Sequence, residues 1–371
     1  MDLLVLKVIA IVPEAKDTAT IYLARADGQE LDYRSGQFLT FLLVAGRELR
    51  RSYSFSSTPG VDPVAAITVK RVINGEVSRY LLDHLRVGDE MASLPPSGRF
   101  VLEAPAGQPR QLFFIAAGSG MAPVFSLLKE ALVKEPASRV VLISQHHDEA
   151  SILFKEPLED LIQKYGDRLR WVNFLSSPED RKILWKVGMP ADARHREGRL
   201  NNWLLEELLG ELLVSGEMKE AGREAGALFY LCGPPAFMRM AQFTLRVMGF
   251  DHERIKQEHF TVEYVPPPPL LTDTTPKKIT ILSGSQKASA GGSSLQFETA
   301  WPNTILQAAL SQGVSLPYSC RGGRCSTCVA RCISGKVKMS INEVLTEKDL
   351  LEGLVLTCVG YAETDVILEL S

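Results

Sequence analysis

The sequence predicts a multi-domain protein with an antiparallel β-barrel, an α/β domain built on a parallel sheet, and a small α+β domain. Short runs of alternating apolar and polar residues fill the first part of the chain, as antiparallel strands do. Strand-like and helix-like runs then alternate, which is typical of a parallel sheet covered on both faces. With 371 residues, of which 45% are hydrophobic, the chain is long enough for two or three domains.

The barrel is predicted for residues 1–107, with strand-like runs LLVLKVIAIV, TATIYLARA, GQFLTFLLV, RRSYSFS and AAITVKRV. The first run is interpreted as a strand and not a signal peptide, because Asp2 and Lys7 interrupt it and no cleavage site follows. The α/β domain is predicted for residues 108–262. Its strand runs QLFFIAA, RVVLISQ, RWVNFLS and ALFYLCG alternate with helical patterns such as VFSLLKEALVKE and NNWLLEELLGELL.

A linker is predicted for residues 263–277, because Pro266–Pro269 can continue neither a helix nor a central strand. The third domain follows as residues 278–371. It has strand-like runs KITILSG, SLQFETA, VLTCVGYA and DVILEL, and one helix-like run, NTILQAALSQG.

Composition excludes several classes of partner. The 41 basic and 44 acidic residues give a formal net charge of −3, so neither nucleic acid nor an anionic membrane surface is expected as a partner. No apolar run approaches the ~20 residues of a membrane helix, and no membrane insertion is expected. Three of the six cysteines crowd into nine residues, which favours a metal or cluster site in a reducing compartment over a disulfide framework. A cytoplasmic location is therefore predicted.

The cysteine-rich loop has the spacing C-x4-C-x2-C, and Cys358 follows after 29 intervening residues. This is the pattern of a plant-type [2Fe-2S] site. The predicted ligands are Cys320, Cys325, Cys328 and Cys358. Four thiolates can converge on two irons only if the chain curls tightly, and Gly322 and Gly323 permit that curl. Backbone donors, Arg321 and Arg324 are expected to stabilise the reduced cluster.

A structural zinc site is the alternative for this loop, with Cys332 in place of Cys358. The spacing of these four cysteines does not match a structural zinc site, because such sites usually have two pairs of ligands, each closely spaced, separated by a longer gap. We therefore favour the cluster. Cys332 is interpreted as a small buried hydrophobic residue.

Two segments of the barrel carry groups suited to a phosphate-bearing ligand. Arg51-Ser52-Tyr53-Ser54 places a cation, an aromatic ring and two hydroxyls on one strand. The segment from Val69 to Ser78 adds cations, a glycine turn and the start of a helical pattern. Backbone N–H groups at the start of a helix bind phosphate.

The α/β domain carries two further patterns. Gly118-Ser119-Gly120-Met121-Ala122-Pro123 follows a strand and opens a helix, the context in which a dinucleotide pyrophosphate approaches the backbone. Cys232-Gly233-Pro234 ends a later strand, at the carboxyl edge where ligands of such sheets bind. Cys232 is either a packed core thiol or a group beside the reacting nicotinamide.

These four patterns together resemble the ferredoxin–NADP reductase family, in the subgroup with a plant-type, β-grasp-like ferredoxin domain at the C-terminus. The family motifs R-x-Y-S, G-x-V-S, G-x-G-x-x-P and C-G-P occur here in order, and the resemblance covers nearly the whole chain. It implies contacts with the flavin from Arg51, Ser52, Tyr53, Ser54, Val69, Lys70, Val72, Gly75, Val77 and Ser78. It implies contacts with the nucleotide from Gly118, Ser119, Gly120, Met121, Pro123, Ser176, Cys232, Gly233, Pro234 and Phe260.

The resemblance also implies an activity. Electrons from NADPH or NADH pass through FAD to the [2Fe-2S] cluster and on to an oxygenase or similar acceptor. FAD is expected in place of FMN, because residues 70–78 resemble the FAD-binding version of the motif. Tyr53 is expected to pack on the flavin, while Arg51 and Ser78 hold its phosphates. Ser54, Cys232 and Glu258 are the expected catalytic residues, which shape the pocket of the nicotinamide.

The acceptor is less defined by the resemblance. Reductases of phenylacetyl-CoA epoxidase look most similar, and related reductases serve steroid hydroxylases, fatty-acyl desaturases and aromatic-ring oxygenases. A rival hypothesis is a redox-sensing or electron-relay subunit that binds the nucleotide without turnover. NADPH is expected over NADH, although the cations that could meet a 2′-phosphate come only at Arg181 and Lys182, after Ser176-Ser177.

Two further expectations concern charged side chains. Residues 278–371 contain eight basic and eight acidic residues, and Arg321, Arg324 and Arg331 fall in or just after the cysteine loop. The surface from which electrons leave is therefore predicted to be locally positive. His146 and His147 are interpreted as part of a solvated loop after the strand run RVVLISQ.

Overall fold

The computed structural model describes residues 3–44, 48–103, 109–177, 195–214, 227–260, 265–283 and 294–370. These residues form two compact units. The first unit comprises Leu4–Pro96 and Phe100–Phe260, and the second is formed chiefly by Thr261–Ser371. None of the helices in the described ranges has the length and hydropathy of a membrane span.

An antiparallel sheet of six strands begins the first unit, in the order β4-β3-β6-β1-β2-β5. The strands are β1 (Leu4–Ala15), β2 (Thr18–Arg25), β3 (Phe38–Val44), β4 (Glu48–Ser54), β5 (Ala65–Lys70) and β6 (Glu90–Ser97). An antiparallel bridge between Phe55 and Ile67 joins the end of β4 to β5, and so closes the sheet into the predicted barrel. Helix α1 (Glu76–Asp83) follows β5 and buries Val77 and Leu81 against this core.

One strand of the barrel had no counterpart among the predicted runs. Strand β6 lies between β3 and β1 and contains Pro95 and Pro96, which argue against a central strand. Its ladder with β1 uses Glu90 to Ser93. The prolines therefore lie beyond the residues that donate to that ladder.

A parallel sheet completes the first unit, in the order β10-β9-β8-β7-β11-β12. Its strands are β7 (Gln111–Ala117), β8 (Arg139–His146), β9 (Leu169–Leu175), β10 (His195–Glu197), β11 (Ala227–Cys232) and β12 (Ile255–Glu258). Its helices are α2 (Met121–Lys134), α3 (Lys155–Tyr165), α4 (Asn202–Val214) and α5 (Pro235–Val247). Two apolar clusters cover the two faces of the sheet, as the near-continuous apolar strand runs predict.

The segment after β4 joins the barrel to helix α2. The Thr58 hydroxyl donates to the carbonyl oxygen of Ser126 at 2.8 Å, and the Ser126 hydroxyl donates to that of Ser57. Lys129 forms an ion pair with Asp62, and its side chain is only 10% exposed. The barrel and the parallel sheet therefore belong to one compact unit.

The second unit contains a five-stranded sheet in the order β14-β13-β19-β15-β17 and a two-stranded sheet of β16 and β18. The strands are β13 (Lys277–Ser283), β14 (Leu295–Thr299), β15 (Val329–Ser334), β16 (Val337–Met339), β17 (Leu354–Leu356), β18 (Gly360–Ala362) and β19 (Val366–Leu370). Helices α6 (Ile305–Ser311) and α7 (Glu347–Leu351) accompany them. The predicted single run VLTCVGYA is thus two strands, with Cys358 in the turn between them. The amide of Val359 bonds to the carbonyl oxygen of Leu356 and closes this turn.

Candidate functional site

The motif Arg51-Ser52-Tyr53-Ser54 forms the end of β4, and its side chains alternate between the two faces of the strand. The ring of Tyr53 lies 6.2 Å from that of Phe41, and burial raises the pKa of Tyr53 to about 12. The phenol is therefore neutral. Ser54 is buried, whereas Arg51 is exposed. A cation and a neutral aromatic ring thus share one face of the strand.

The second flavin segment runs from the end of β5 into α1. Val69 is fully buried and Val72 is exposed. Gly75 is the N-terminal cap of α1. The amide of Val72 donates to the hydroxyl of Ser78 at 3.1 Å, so Ser78 closes the turn that presents the start of the helix.

Lys70 connects the barrel to the glycine-rich turn of the α/β part. A Cβ placed on Gly118 would lie 3.9 Å from the Lys70 ammonium. Residues 118–120 form a short 3₁₀ turn after β7, and α2 begins at Met121 with Pro123 in its first turn. The Lys70 cation of the barrel therefore lies beside the glycine-rich turn that we predict to bind a pyrophosphate.

At two positions on this edge of the sheet, neighbouring atoms leave no room for a side chain, so only glycine fits. A Cβ on Gly120 would lie 2.2 Å from the carbonyl oxygen of Cys232, and one on Gly233 would lie 2.9 Å from the ring of Phe237. A side chain at Gly120 would require movement of the backbone, and one at Gly233 would displace the ring of Phe237. The carboxyl ends of β7 and β11 therefore form a cradle, defined by the backbone of Gly120 and of Cys232-Gly233. Pro234 follows as the N-terminal cap of α5.

Cys232 and Glu258 are paired across β11 and β12, and both are buried. Burial raises the pKa of the Cys232 thiol, and the Glu258 carboxylate raises it further. The thiol is therefore neutral and suited to lining a pocket, not to nucleophilic attack. Phe260, two residues beyond Glu258, is 44% exposed. Ser176 follows β9, and its hydroxyl lies 3.3 Å from Nδ1 of His147.

The four predicted cluster cysteines lie close together, with their sulfurs facing one another. Cys325, Cys328 and Cys358 are buried and Cys320 is half-buried. The amides of Cys320 and Gly322 donate to the sulfurs of Cys325 and Cys320, each at 3.4 Å. The thiols of Cys325 and Cys358 and nearby amides hold the pKa of Cys320 well below its usual value. Four converging thiols with amides directed at sulfur fit a [2Fe-2S] cluster.

Comparison with known proteins matches all three parts of the chain. Residues 6–102 match the oxidoreductase FAD-binding domain, residues 114–242 the oxidoreductase NAD-binding domain, and residues 290–363 the 2Fe-2S iron-sulfur cluster binding domain. The ferredoxin reductase component of 3-ketosteroid-9-alpha-monooxygenase from Mycolicibacterium smegmatis is 33% identical over 98% of this chain and 95% of its own. One subunit of the 1,2-phenylacetyl-CoA epoxidase from Escherichia coli is 31% identical over 96% of this chain and 94% of its own.

The chain belongs to the ferredoxin reductase family. Phthalate dioxygenase reductase has the same fold, with a TM-score of 0.55 at 20% identity over 99% of this chain and 98% of that one. This reductase is therefore an NAD(P)H-dependent oxidoreductase that uses FAD and a [2Fe-2S] cluster.

His146 corrects one interpretation made from the sequence. It is the last residue of β8 and is buried, whereas we expected a solvated loop. Its Nδ1 lies 3.0 Å from Oδ1 of Asn173, and its Nε2 accepts from the amide of Leu153 at 3.3 Å. Burial lowers the pKa of His146 to about 4. The Asn173 amide also contacts Nδ1 of His195 at 3.2 Å, a network that no local sequence signal marks.

Cys332 lies apart from the zinc set considered above. Its sulfur contacts the carbonyl oxygen of Ser334 at 3.5 Å, and its side chain packs partly into the core of the second unit. In the described part of the reductase, no group of three or more His, Cys, Asp or Glu side chains is arranged to hold a single metal ion.

The arginines of the cluster loop differ in how their charges are compensated. Arg324 forms an ion pair with Glu343, and its side chain is only 11% exposed. Arg331 lies 3.7 Å from the carboxylate of Glu352. Arg321 stacks over the ring of Tyr318, 4.3 Å from its centre. A carboxylate therefore compensates the charge of Arg324, whereas Arg321 is exposed, and the locally positive surface stays a prediction.

Proposed function

We propose that this reductase supplies electrons from a nicotinamide nucleotide to the oxygenase component of a monooxygenase or epoxidase system. The observation that carries the proposal is similarity along the whole chain. Relatives that span 96–98% of the chain include a reductase component of a steroid monooxygenase and a subunit of a phenylacetyl-CoA epoxidase. The rival function, a redox-sensing or electron-relay subunit that binds the nucleotide without turnover, is distinguished by the ferricyanide assay described below.

The proposed roles of the residues follow from their positions. FAD supplies the conversion of a two-electron hydride donor into single electrons. Tyr53 offers a neutral ring for packing, and Arg51 together with the start of α1 near Ser78 offers groups for phosphate. Ser54 is the proposed contact near the reacting flavin nitrogen. Cys232 and Glu258 line the nicotinamide pocket and exclude water.

The nucleotide contacts are proposed from the same edge of the sheet. The backbone of residues 118–123 would bind the pyrophosphate, with Lys70 as the nearby cation, and Gly233 and Pro234 would bound the nicotinamide. Ser176 would contact the adenosine ribose. NADPH over NADH stays a prediction, because Arg181 and Lys182 lie outside the described residues. The domain limits 1–107, 108–262, 263–277 and 278–371, and the cytoplasmic location, also belong to this proposal.

An epoxidase acting on phenylacetyl-CoA is the first candidate acceptor, and a steroid monooxygenase is the second. The identities of 31% and 33% to their reductases favour neither by themselves. The test mixes the purified reductase and NADPH with each purified oxygenase and its substrate, and measures product per NADPH consumed. Coupled product with the epoxidase supports the first candidate, and coupling only with the steroid oxygenase selects the second. NADPH binding without oxidation in the presence of ferricyanide would refute the reductase function itself.

A further inference from the structure

The ion pair of Arg324 and Glu343 lies beside the cluster cysteines and has two contacts. Nε of Arg324 lies 2.7 Å from Oε2 of Glu343, and Nη2 donates to Oε1 at 2.9 Å. The guanidinium therefore holds the carboxylate by one charge-assisted hydrogen bond and by a second close contact between opposite charges. The side chains are 11% and 31% exposed, so solvent screens the pair less than it screens a surface pair.

Arg324 is also part of the backbone that surrounds the sulfurs. Its own N–H bonds to the sulfur of Cys320, and the next residue is the predicted ligand Cys325. A charge carried by the Arg324 side chain therefore belongs to the immediate surroundings of the cluster.

The segment 340–343 holds Glu343 against this loop. The amide of Glu343 donates to the carbonyl oxygen of Gly323 at 3.2 Å. Gly323 has φ +73°, and a Cβ there would lie 3.0 Å from Cγ2 of Ile341. At the other end, the amide of Ser340 donates to the carbonyl oxygen of Val359, the residue after Cys358. The segment thus connects the cysteine loop to the turn that carries the fourth thiol.

We propose that Glu343 is a positioning residue that fixes the Arg324 guanidinium at the cluster loop and cancels its charge. Reduction adds one electron to the cluster, so a nearby positive charge favours the reduced form and a nearby negative charge opposes it. With both charges present, their effects on the reduction potential oppose each other. The inference rests on the proposed [2Fe-2S] function of this loop.

The experiment measures the midpoint potential of the cluster in the full-length holoprotein, by redox titration followed with electron paramagnetic resonance. Glu343→Gln removes the negative charge of the pair and should raise the potential. Arg324→Gln removes the positive charge and should lower it. At a fixed applied potential, each substitution should change the ratio of reduced to oxidised cluster at least threefold. This corresponds to a shift in midpoint potential of about 28 mV for a one-electron couple. The double variant should return close to the wild-type potential.

Arg331→Gln is the matched control, because it removes an arginine that pairs with Glu352 outside the loop, and its potential should be unchanged. Equal potentials in all variants, or shifts of the two single variants in the same direction, would overturn the inference. If Glu343→Gln does not retain a cluster, Arg324→Gln alone decides, since an unchanged potential there refutes the charge effect. A [2Fe-2S] signal reduced by NADPH in the wild type would show that the reductase function stands even then.

Discussion

The cysteine loop and the edge of the parallel sheet are two sites built in different ways. In the loop, three of the four thiols lie within nine residues, and amides of the loop itself approach their sulfurs. At the sheet edge, Gly120, Cys232 and Glu258 are far apart in sequence and meet only because β7, β11 and β12 are neighbours. The loop depends on its own turns, whereas the edge depends on the entire sheet. Substitutions in the first should have local effects, and substitutions in the second should reach further.

The largest expected effect comes from Cys320→Ser, which removes one of the four predicted cluster ligands. The cluster should be lost, and electron transfer to cytochrome c or to the oxygenase should fall to background. Ferricyanide reduction, which the flavin can support directly, should remain. Visible absorption and electron paramagnetic resonance report the cluster, and steady-state assays report both activities.

The local character of that loss is itself testable. Thermal unfolding of the FAD and nucleotide unit, followed by release of flavin fluorescence, should be the same in Cys320→Ser as in the wild type. A clearly lowered transition would show that the loop supports more of the molecule than its short-range contacts indicate.

The next largest effect is expected from Gly120→Ala at the sheet edge. The new methyl group would lie 2.2 Å from the carbonyl oxygen of Cys232, so the backbone must move. Overpacking of this kind costs about 1–3 kcal/mol, which corresponds to a lowering of Tm by roughly 2–12 °C in a unit of this size. The KM for NADPH should rise at least about tenfold, because misplacement of binding groups is costly.

A matched control is available within the same domain. Gly210 lies in α4 with open space around the position of a Cβ, so Gly210→Ala should leave the KM unchanged and should not lower Tm. The cluster signal of Gly120→Ala should stay intact. A normal KM in Gly120→Ala would mean that the cradle between β7 and β11 does not bind the nucleotide.

The smallest of the three effects concerns His146 and acid. In the folded protein the pKa of His146 is about 4, whereas the ordinary value is 6.5. The unfolded chain therefore binds a proton that the folded chain does not, and stability falls as the pH drops from 6.5 towards 4. At pH 5 the loss amounts to about 2 kcal/mol. His146→Gln should remove this part of the pH dependence, as measured by denaturant unfolding of the flavin-bound unit at pH 7 and pH 5. An identical pH dependence in the variant would contradict the assignment.

The sequence predicted what depends on local pattern. The cysteine spacing, the glycine turn after β7 and the apolar strand runs are signals within a few residues of one another, and the structure contains the elements that they predict. The proline-containing β6 was missed because its place in the barrel depends on a register that its composition does not show. The burial of His146 was missed because Asn173 and Leu153 approach it only through the fold. The pairing of Arg324 with Glu343 spans 19 residues, and no spacing rule connects them.

The contacts between the segment after β4 and α2 have a consequence for protein engineering. Ser57, Thr58 and Asp62 bond to Ser126 and Lys129 through main chain and side chains alike. A chimera that exchanges the flavin domain alone would have to match both sides of this buried joint. A chimera cut within residues 261–277 would leave this buried joint whole.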